Sequence, residues 1–494
     1  MLISLIPLIY LMVRVATIGL SELIELIFQT RTLELIINSL SLAVTVSVSA
    51  VLLGSMQAWV AVRSNLKGRK VFSVLAALPL AIPSYVAAYA WIAVIPGFNG
   101  FFAAWLLLTV GTAPLVYLAV SAALVRFDAG TEEVAQSLGA TKLQVFRKVT
   151  WPNIRSAAVS GGLLSALYVL SDFGAVSIVR YDTFTRAIYN AYRASFDRNQ
   201  AAALALVLVL VTVLVLYFES KARGKKFATG KIAGRLGLVE LGAWKVPMFL
   251  VLLGLATVSL LVPLGSLLSW SIQGFGSVDW SAVLGALANS IGLAVSGGLL
   301  TSFAALAIAV LTIRHRRKLT SVLERSVWLT HATPGIVVAL ALVFFSNQVV
   351  PWVYQTTLLV LIAYLALFLP NALAAVSTPI RQSPRALDEV SSSLGLSTMQ
   401  TLRKVVLPIA GPGIFAATTL VILTVLKELP ATLLLRPTGM ETLATRLWTE
   451  TSVAAFSAAA PYALLLVVLA GFPAWLLNRT IRKDLEPMEM ERYQ

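Results

Sequence analysis

The chain has 494 residues, of which 58% are hydrophobic and only 12% are charged, about half the charged fraction of soluble domains. Together with a mean hydropathy of +0.86, this composition excludes a soluble protein and indicates an all-α polytopic membrane protein. The absence of cysteine excludes disulfide bonds, thiol catalysis and iron–sulfur ligation. With only two histidines and no motif for a bound group, we expect no metal site and no cofactor.

Apolar segments recur along the chain, and we predict about 12 transmembrane helices from them. The segments lie near 2–20, 38–62, 71–95, 101–125, 154–178, 200–218, 246–270, 287–313, 327–349, 352–376, 411–435 and 454–478. The first begins almost at Met1 and lacks the charged start and small-residue cleavage site of a signal peptide, so we expect a retained transmembrane helix. An even number of spans puts both termini on the same side.

The formal net charge of +16 is unevenly distributed, with 29 of the 38 Lys and Arg residues in alternate loops and the C-terminal tail. By the positive-inside rule these loops and both termini are cytoplasmic. Attraction to anionic lipid explains such clusters without nucleic acid as a partner. The sequence therefore predicts a multi-pass protein of the bacterial cytoplasmic (inner) membrane.

One polar segment of about twenty residues occurs twice between apolar runs, with the two copies 256 residues apart. The corresponding residues are Glu132, Glu133, Ala135, Gly139 and Pro152 in the first copy and Asp388, Glu389, Ser391, Gly395 and Pro408 in the second. The acids suit the start of a short helix, the glycine permits the left-handed turn that ends it, and the proline suits the first turn of the next helix. Two such helical brackets on the cytoplasmic side predict two docking points for one kind of soluble partner.

The repeat extends beyond these two segments. Asn38, Arg63 and Pro83 recur 251 residues later as Asn289, Arg314 and Pro334, while Asp172 and Arg180 recur 256 residues later as Glu428 and Arg436. We therefore predict two parallel six-helix repeats around an axis along the membrane normal. The predicted organisation is a first half at 1–220 with its polar loop at 128–153, a linker at 221–245, and a second half at 246–494 with its loop at 384–409.

The two polar loops resemble the EAA loop of ABC importer permeases. Glu133, Ala135, Gly139 and Pro152 fit the family pattern at its fixed positions, and the second copy departs from it at Ser391, where the pattern has alanine. The resemblance implies a type I ABC importer permease-like fold and a transport subunit without catalytic residues. It also implies that the loop residues named above couple the chain to two copies of a cytoplasmic ABC ATPase.

The chain shows no ATP site of its own. The segment from Gly224 to Lys231 superficially resembles a phosphate-binding loop, but its spacing is wrong and Ile232 replaces the required Ser or Thr. The energy for transport is therefore expected from a partner.

A more specific resemblance covers nearly the full length. The run from Tyr168 to Tyr189, with Ser195 to Arg198 after it, is similar to ferric-iron importer permeases, a subgroup that also fuses both permease halves in one chain. This implies ferric iron as the substrate, delivered by a periplasmic or lipoprotein substrate-binding protein. Thiamine and phosphonate permeases share the fused plan and remain alternatives.

Ionisable residues near the ends of two spans form a candidate outer gate. Asp172 and Glu428 each lie twenty residues after a loop proline, which places them about 30 Å away, near the outer face. A carboxylate at a helix C-terminus is disfavoured by the dipole, so each acid is expected to have a cationic neighbour among Arg180, Lys427 and Arg436. Such ion pairs either open and close a gate or only hold the helix ends together.

Smaller expectations concern the residues around this gate. Gly174 and Pro430 are expected to end the two helices that carry the acids. Tyr85 and Tyr89 either line a path or, as the preferred interpretation, are interfacial aromatics.

Two other classes of protein compete with the importer subunit. An ion-gradient-driven secondary transporter would not need two matched cytoplasmic loops, and it usually has broken helices or an acid near the midplane. A non-transporting scaffold would not need acids at equivalent depths in both halves.

Overall fold

The computed structural model describes residues 2–128, 130–195, 197–222, 238–314, 318–330, 333–383 and 386–472. Regular structure in these residues is helical, apart from one isolated β-bridge between Ser64 and Val239. The predicted all-α polytopic class is therefore confirmed. The segment from Gly224 to Lys231 and the end of the last predicted span lie outside the described residues.

Helices α1 to α14 come from the sequence up to Gly274. They are α1 (Leu2–Ile18), α2 (Leu20–Phe28), α3 (Thr30–Arg63), α4 (Arg69–Ala77), α5 (Ser84–Val94), α6 (Gly100–Arg126), α7 (Gly130–Ser137), α8 (Lys142–Val145), α9 (Trp151–Ser171), α10 (Gly174–Ile178), α11 (Phe184–Arg193), α12 (Arg198–Ala222), α13 (Lys245–Ala256) and α14 (Val262–Gly274). Single π-helical turns at Phe146–Thr150 and Thr257–Leu261 join α8 to α9 and α13 to α14.

Helices α15 to α24 follow. They are α15 (Trp280–Arg314), α16 (Lys318–Thr330), α17 (Gly335–Val349), α18 (Thr357–Gln382), α19 (Ala386–Ser393), α20 (Thr398–Thr401), α21 (Leu407–Leu426), α22 (Pro430–Leu435), α23 (Leu443–Ser452) and α24 (Phe456–Phe472). A π-helical turn at Leu402–Val406 joins α20 to α21, at the position equivalent to the turn before α9.

The described chain forms two compact units. Unit I comprises residues 24–273, and unit II comprises the described residues up to 23 together with those from 274 on. The predicted boundaries at 220 and 246 separate the two copies of the sequence repeat. The boundaries of the compact units lie at other residues. Helix α1 packs with α16 and α17 in unit II, while α13 packs on α4 in unit I. The leading helix of each sequence half is thus grouped with the other half.

The same trio of helices forms the centre of each unit: α3, α6 and α9 in unit I, and α15, α18 and α21 in unit II. Glycines allow these helices to approach closely. A Cβ at Gly54 would lie 2.6 Å from the backbone oxygen of Ala113, and one at Gly413 would lie 3.0 Å from that of Ala375. Close packing through small residues is how membrane helices associate, because lipid provides no hydrophobic drive between them.

In the part of the chain that the structure describes, eight helices are long and apolar enough to cross a membrane, or nine if one bent pair counts as a span. That pair is Arg69–Ala81 with Ser84–Val94, bent by 97°. Three shorter apolar helices, Ile6–Ile18, Gly335–Val349 and Phe456–Phe472, fall within the remaining predicted spans. The count of twelve stays a prediction.

The break between α4 and α5 has a local cause. Pro79 is the second residue of a 3₁₀ turn at Leu78–Ala81, and Pro83 is the residue before α5. The interfacial interpretation of the two tyrosines on α5 is wrong, because Tyr85 and Tyr89 are both buried in the protein. An apolar helix packed on several sides buries aromatic rings, whatever their distance from a membrane surface.

Candidate functional site

The first polar loop is a helical bracket that turns at Gly139. Helix α7 ends at Ser137, and Gly139 adopts a left-handed backbone conformation with φ of +86°. The amide of Ala140 donates to the carbonyl of Ala135 at 3.1 Å, and the amide of Gly139 donates to that of Gln136 at 2.9 Å. These two bonds form a Schellman-type C-cap, the function expected of a glycine here.

The second loop has the same conformation. Gly395 has φ of +75°. The amide of Leu396 donates to the carbonyl of Ser391 at 3.0 Å, and the amide of Gly395 donates to that of Ser392 at 3.0 Å. Ser391, the one departure from the family pattern, leaves the turn unchanged.

A capping pair that the sequence analysis missed starts the second helix of each bracket. The hydroxyl of Thr141 accepts from the amide of Gln144, whose side chain accepts from the amide of Thr141 in return. Ser397 and Gln400 form the same reciprocal pair at 2.8 and 3.3 Å. The signal was present in the sequence as a Ser or Thr followed three residues later by Gln.

The second helix of each bracket continues directly into a long apolar helix. Residues Lys142–Ser171 form one helix, as do Met399–Leu426. Pro152 and Pro408 lie in the first turn of α9 and α21, as predicted from their missing N–H. Each loop is therefore continuous with one apolar helix.

The two adjacent glutamates of the first loop have different surroundings. The carboxylate of Glu132 binds the guanidinium of Arg63 and accepts from the hydroxyl of Thr150, whereas Glu133 is exposed. Arg63 is only 2% exposed and also lies over the ring of Phe127. The ion pair therefore fastens the end of α3 to the loop and leaves Glu133 available to a partner.

In the second loop, Arg314 ends α15 as Arg63 ends α3. Its guanidinium donates to the hydroxyl of Ser383 at 3.1 Å, and Ser383 occupies the position equivalent to Phe127. Glu389 is exposed, like Glu133. The side chain of Asp388 lies outside the described part of the structure.

Each bracket exposes an apolar ridge beside its acid. Val134 on α7 is exposed, and Leu138, the residue directly after α7, is 82% exposed. Val390 on α19 is exposed in the same way, and Leu394, the residue directly after α19, is 74% exposed. Large apolar side chains exposed at matched places are the kind of surface that binds a protein or a membrane.

At the opposite end of α9, the carboxylate of Asp172 is 7% exposed and is bound by neutral donors. One oxygen accepts from the amides of Ala175 and Val176 at 3.0 and 3.3 Å. The other accepts from the hydroxyl of Ser84 in the first turn of α5. Asp172 thus links the start of α10 to the start of α5.

Glu428 has the equivalent role beyond α21. Its carboxylate accepts from the amide of Ala431 at 2.8 Å, in the first turn of α22. The same oxygen lies next to Gly335, the first residue of α17, where an added Cβ would be 3.1 Å from it. Glu428 also lines a small pocket together with Tyr364 and Thr432, whose hydroxyls are 2.7 Å apart.

Among the described residues, neither arginine of the candidate gate pairs with Asp172 or Glu428. Arg180 is exposed, and Arg436 binds Glu441 and the carbonyl of Met440. Lys427 is half-buried and is the C-cap residue of α21. A cationic neighbour was expected because the helices that start beside each acid were not considered. The amides at a helix N-terminus stabilise a carboxylate, as a nearby cation would.

The expected helix ends at Gly174 and Pro430 are also wrong. Helices α9 and α21 stop at Ser171 and Leu426, and the two residues instead begin α10 and α22. A proline is compatible with the first turn of a helix, so Pro430 marks a start here.

A second pair of equivalent contacts was also missed. The amide side chain of Asn38 donates to the carbonyl of Asp182 at 3.1 Å, and that of Asn289 donates to the carbonyl of Glu441 at 2.9 Å. The next residue in each case is a serine whose hydroxyl accepts from a backbone amide: Ser39 from Phe184 at 3.2 Å, and Ser290 from Leu443 at 2.8 Å. We call each Asn–Ser pair with its partners a clamp.

A polytopic helical protein with two matched polar brackets, each attached to an apolar helix, is a transporter subunit of the permease class. Comparison with known proteins gives the family: the chain belongs to the binding-protein-dependent transport system inner membrane components, whose family model matches residues 50–220 and 297–482. The two matches are the two repeats.

Individual relatives agree with this. The chain is 37% identical to the Fe(3+)-transport system permease protein FbpB 2 of Haemophilus influenzae over 96% of its own length and 95% of the relative. It is 24% identical to the Ferric transport system permease protein FbpB of Actinobacillus pleuropneumoniae over 65% of this chain and 49% of that one. It is 36% identical to the Sulfate transport system permease protein CysT of Salmonella typhimurium over 26% of this chain and 51% of that one.

The chain is therefore a transmembrane permease subunit of an ABC importer, located in the inner membrane, and its family operates with a substrate-binding protein and an ATPase. The predicted importer class is confirmed, and the secondary transporter and the scaffold are set aside.

Proposed function

We propose that this permease imports ferric iron delivered by an external binding protein. The observation that carries the proposal is the similarity over nearly the whole chain to a relative named for Fe(3+) transport. The sulfate permeases match only about a third of the chain or less. Thiamine and phosphonate remain the alternatives to be tested.

Each polar loop docks one copy of a cytoplasmic ATPase, so the assembly contains two copies, and hydrolysis takes place in those subunits. Two loops of the same conformation, each with an exposed glutamate and an exposed leucine, support this. The docking residues are Glu133 and Val134 with Leu138 in the first loop, and their equivalents in the second. Glu132, Ala135, Gly139, Pro152, Gly395 and Pro408 shape the brackets, and we assign the same role to Asp388.

The proposed topology has both loops and both termini in the cytoplasm, because the basic residues concentrate in the same set of loops. It has twelve spans, with halves at 1–220 and 246–494. The loop-distal ends of α9 and α21 then face outward, and the region of Asp172, Arg180, Lys427, Glu428 and Arg436 is the outer gate. The contacts described above favour hydrogen bonding of the acids to helix starts as the basis of this gate.

Reconstitution tests the proposal. The permease, its ATPase and its binding protein are placed in vesicles, and uptake of ferric iron is compared with uptake of sulfate, thiamine and phosphonate. ATP-dependent uptake of iron alone is expected. Uptake of another solute would transfer the assignment to that substrate, and uptake driven by an ion gradient without ATP would contradict the importer mechanism.

A further inference from the structure

Asp172 and Glu428 form equivalent contacts with different side chains. Each carboxylate accepts from the amide three residues further on, Ala175 or Ala431, and so starts the short helix that follows. Each also reaches the first residue of the packed helix, which is Ser84 of α5 in unit I and Gly335 of α17 in unit II. The two places are equivalent in the repeat.

The two units differ in the length of the acid and in the size of the residue opposite it, and these two differences offset each other. In unit I the acid is the shorter aspartate, and the hydroxyl of Ser84 bridges the remaining gap. In unit II the acid is longer by one methylene, and the facing residue, Gly335, has no side chain. A Cβ at Gly335 would lie 3.1 Å from the Glu428 carboxylate oxygen, which is tighter than ordinary contact. Each acid is therefore matched in length to the residue opposite.

The packing beside each acid also depends on a glycine in each unit. In unit I, Gly174 of α10 faces Tyr85 of α5, and a Cβ on the glycine would come within 2.7 Å of that tyrosine. In unit II the residue equivalent to Gly174 is Pro430, and its ring lies 3.5 Å from where a Cβ of Gly335, the residue equivalent to Ser84, would be. In each unit a glycine on one side accommodates a larger residue on the other.

These contacts lie at one end of a continuous path. Residues Lys142–Ser171 form a single helix from the turn at Gly139 to Asp172, and Met399–Leu426 do the same toward Glu428. A stiff helix transmits a displacement of its loop end to its far end. There, the carboxylate is bonded to α5 in unit I and adjoins α17 in unit II.

We propose that Asp172 with Ser84, and Glu428 with Gly335, are positioning joints that deliver movement of each polar loop to the start of α5 and of α17. This rests on the proposed docking of the ATPase at the loops. The joint depends on steric fit, which means that the length of the acid side chain must match the size of the facing residue. The charge is satisfied by helix N-terminal amides and needs no ion pair.

The test exchanges the two arrangements. Gly335→Ser combined with Glu428→Asp builds the unit I joint in unit II, and Ser84→Gly combined with Asp172→Glu builds the unit II joint in unit I. Each of the four single variants has a mismatched joint: Gly335→Ser and Asp172→Glu are crowded, whereas Ser84→Gly and Glu428→Asp leave a gap. The readouts on the complete purified complex are the ratio of binding-protein-stimulated to basal ATPase activity, substrate uptake, and the thermal midpoint.

We expect each single variant to lower the stimulated-to-basal ratio by about fivefold or more, the effect of one lost or crowded hydrogen bond. Each double variant should return to within about twofold of wild type, since residues in direct contact couple strongly. Gly411→Ser is the control for adding a side chain, because Gly411 has open space around it. It should leave the ratio unchanged.

Three results would overturn the joint: single variants that behave as wild type, double variants no better than the worse single, or lowered thermal midpoints with an unchanged ratio. If a single variant fails to assemble, the double must restore assembly for the proposal to stand. The wild-type complex separates this test from the proposed function, because a wild type that binds no ATPase contradicts the docking itself.

Discussion

The buried guanidinium of Arg63, the last residue of α3, binds the carboxylate of Glu132, in the first turn of α7. Thr150 donates to the same carboxylate from the π-helical turn before α9. Three elements of the first polar loop therefore meet at one acid. Its neighbour Glu133 is exposed, so the two adjacent glutamates are expected to have separable roles.

The first prediction separates these two glutamates. Glu132→Gln should lower the thermal midpoint of the purified permease, because an Arg63 charge left without its partner in a buried site costs about 3–5 kcal/mol. Glu133→Gln should leave the midpoint unchanged while weakening co-purification of the ATPase. Equal loss of stability in both variants would show that Glu133 is also structural.

The second prediction concerns the exposed leucines. Leu138→Asp and Leu394→Asp should each reduce ATPase co-purification, because a carboxylate on an apolar docking surface is desolvated without a partner. Both side chains are largely exposed in the free permease, so insertion and stability should stay normal. Each variant alone should lose about half of the bound ATPase if each loop holds one copy. Unchanged ATPase content in the double variant would contradict docking at these ridges.

The third prediction concerns the two turn glycines. Gly139→Val and Gly395→Val should uncouple ATP hydrolysis from uptake or detach the ATPase, because a β-branched residue is strongly disfavoured at positive φ. The permease should still insert in the membrane. Gly411→Ala is the matched control, since that glycine is helical and has open space around it. Wild-type uptake and normal co-purification in both valine variants would contradict the role of the turns.

The polar loops were predictable from sequence because their structure is local. The acid-rich first turn, the glycine six residues after Glu133 and the following proline act within about twenty residues. The loop conformations follow from these residues in both copies. The reciprocal cap at Thr141 and Gln144 was equally local and was overlooked.

The partners of Asp172 and Glu428 were not predictable in this way. Ser84 lies 88 residues before Asp172 in the chain, and no sequence pattern indicates that the start of α5 packs there. The expectation of nearby arginines used proximity in sequence, whereas a buried carboxylate takes whichever donors the packing provides. The burial of Tyr85 and Tyr89 is a tertiary property for the same reason.

The last prediction concerns the clamps of the two long helices. Ser39→Ala and Ser290→Ala should each lower stability by about 1–3 kcal/mol, because each leaves a buried backbone amide, of Phe184 or Leu443, without its acceptor. Ser296→Ala is the control on α15, since that hydroxyl bonds only to carbonyls of its own helix, and the helix keeps its backbone bonds without it. Thermal unfolding of the purified permease measures the three variants. The two clamps belong to different compact units and share no partner, so the losses of the double variant should add. If Ser39→Ala and Ser290→Ala unfold at the same temperature as the control, the equivalent clamps do not contribute to stability. Their recurrence then reflects only the duplication.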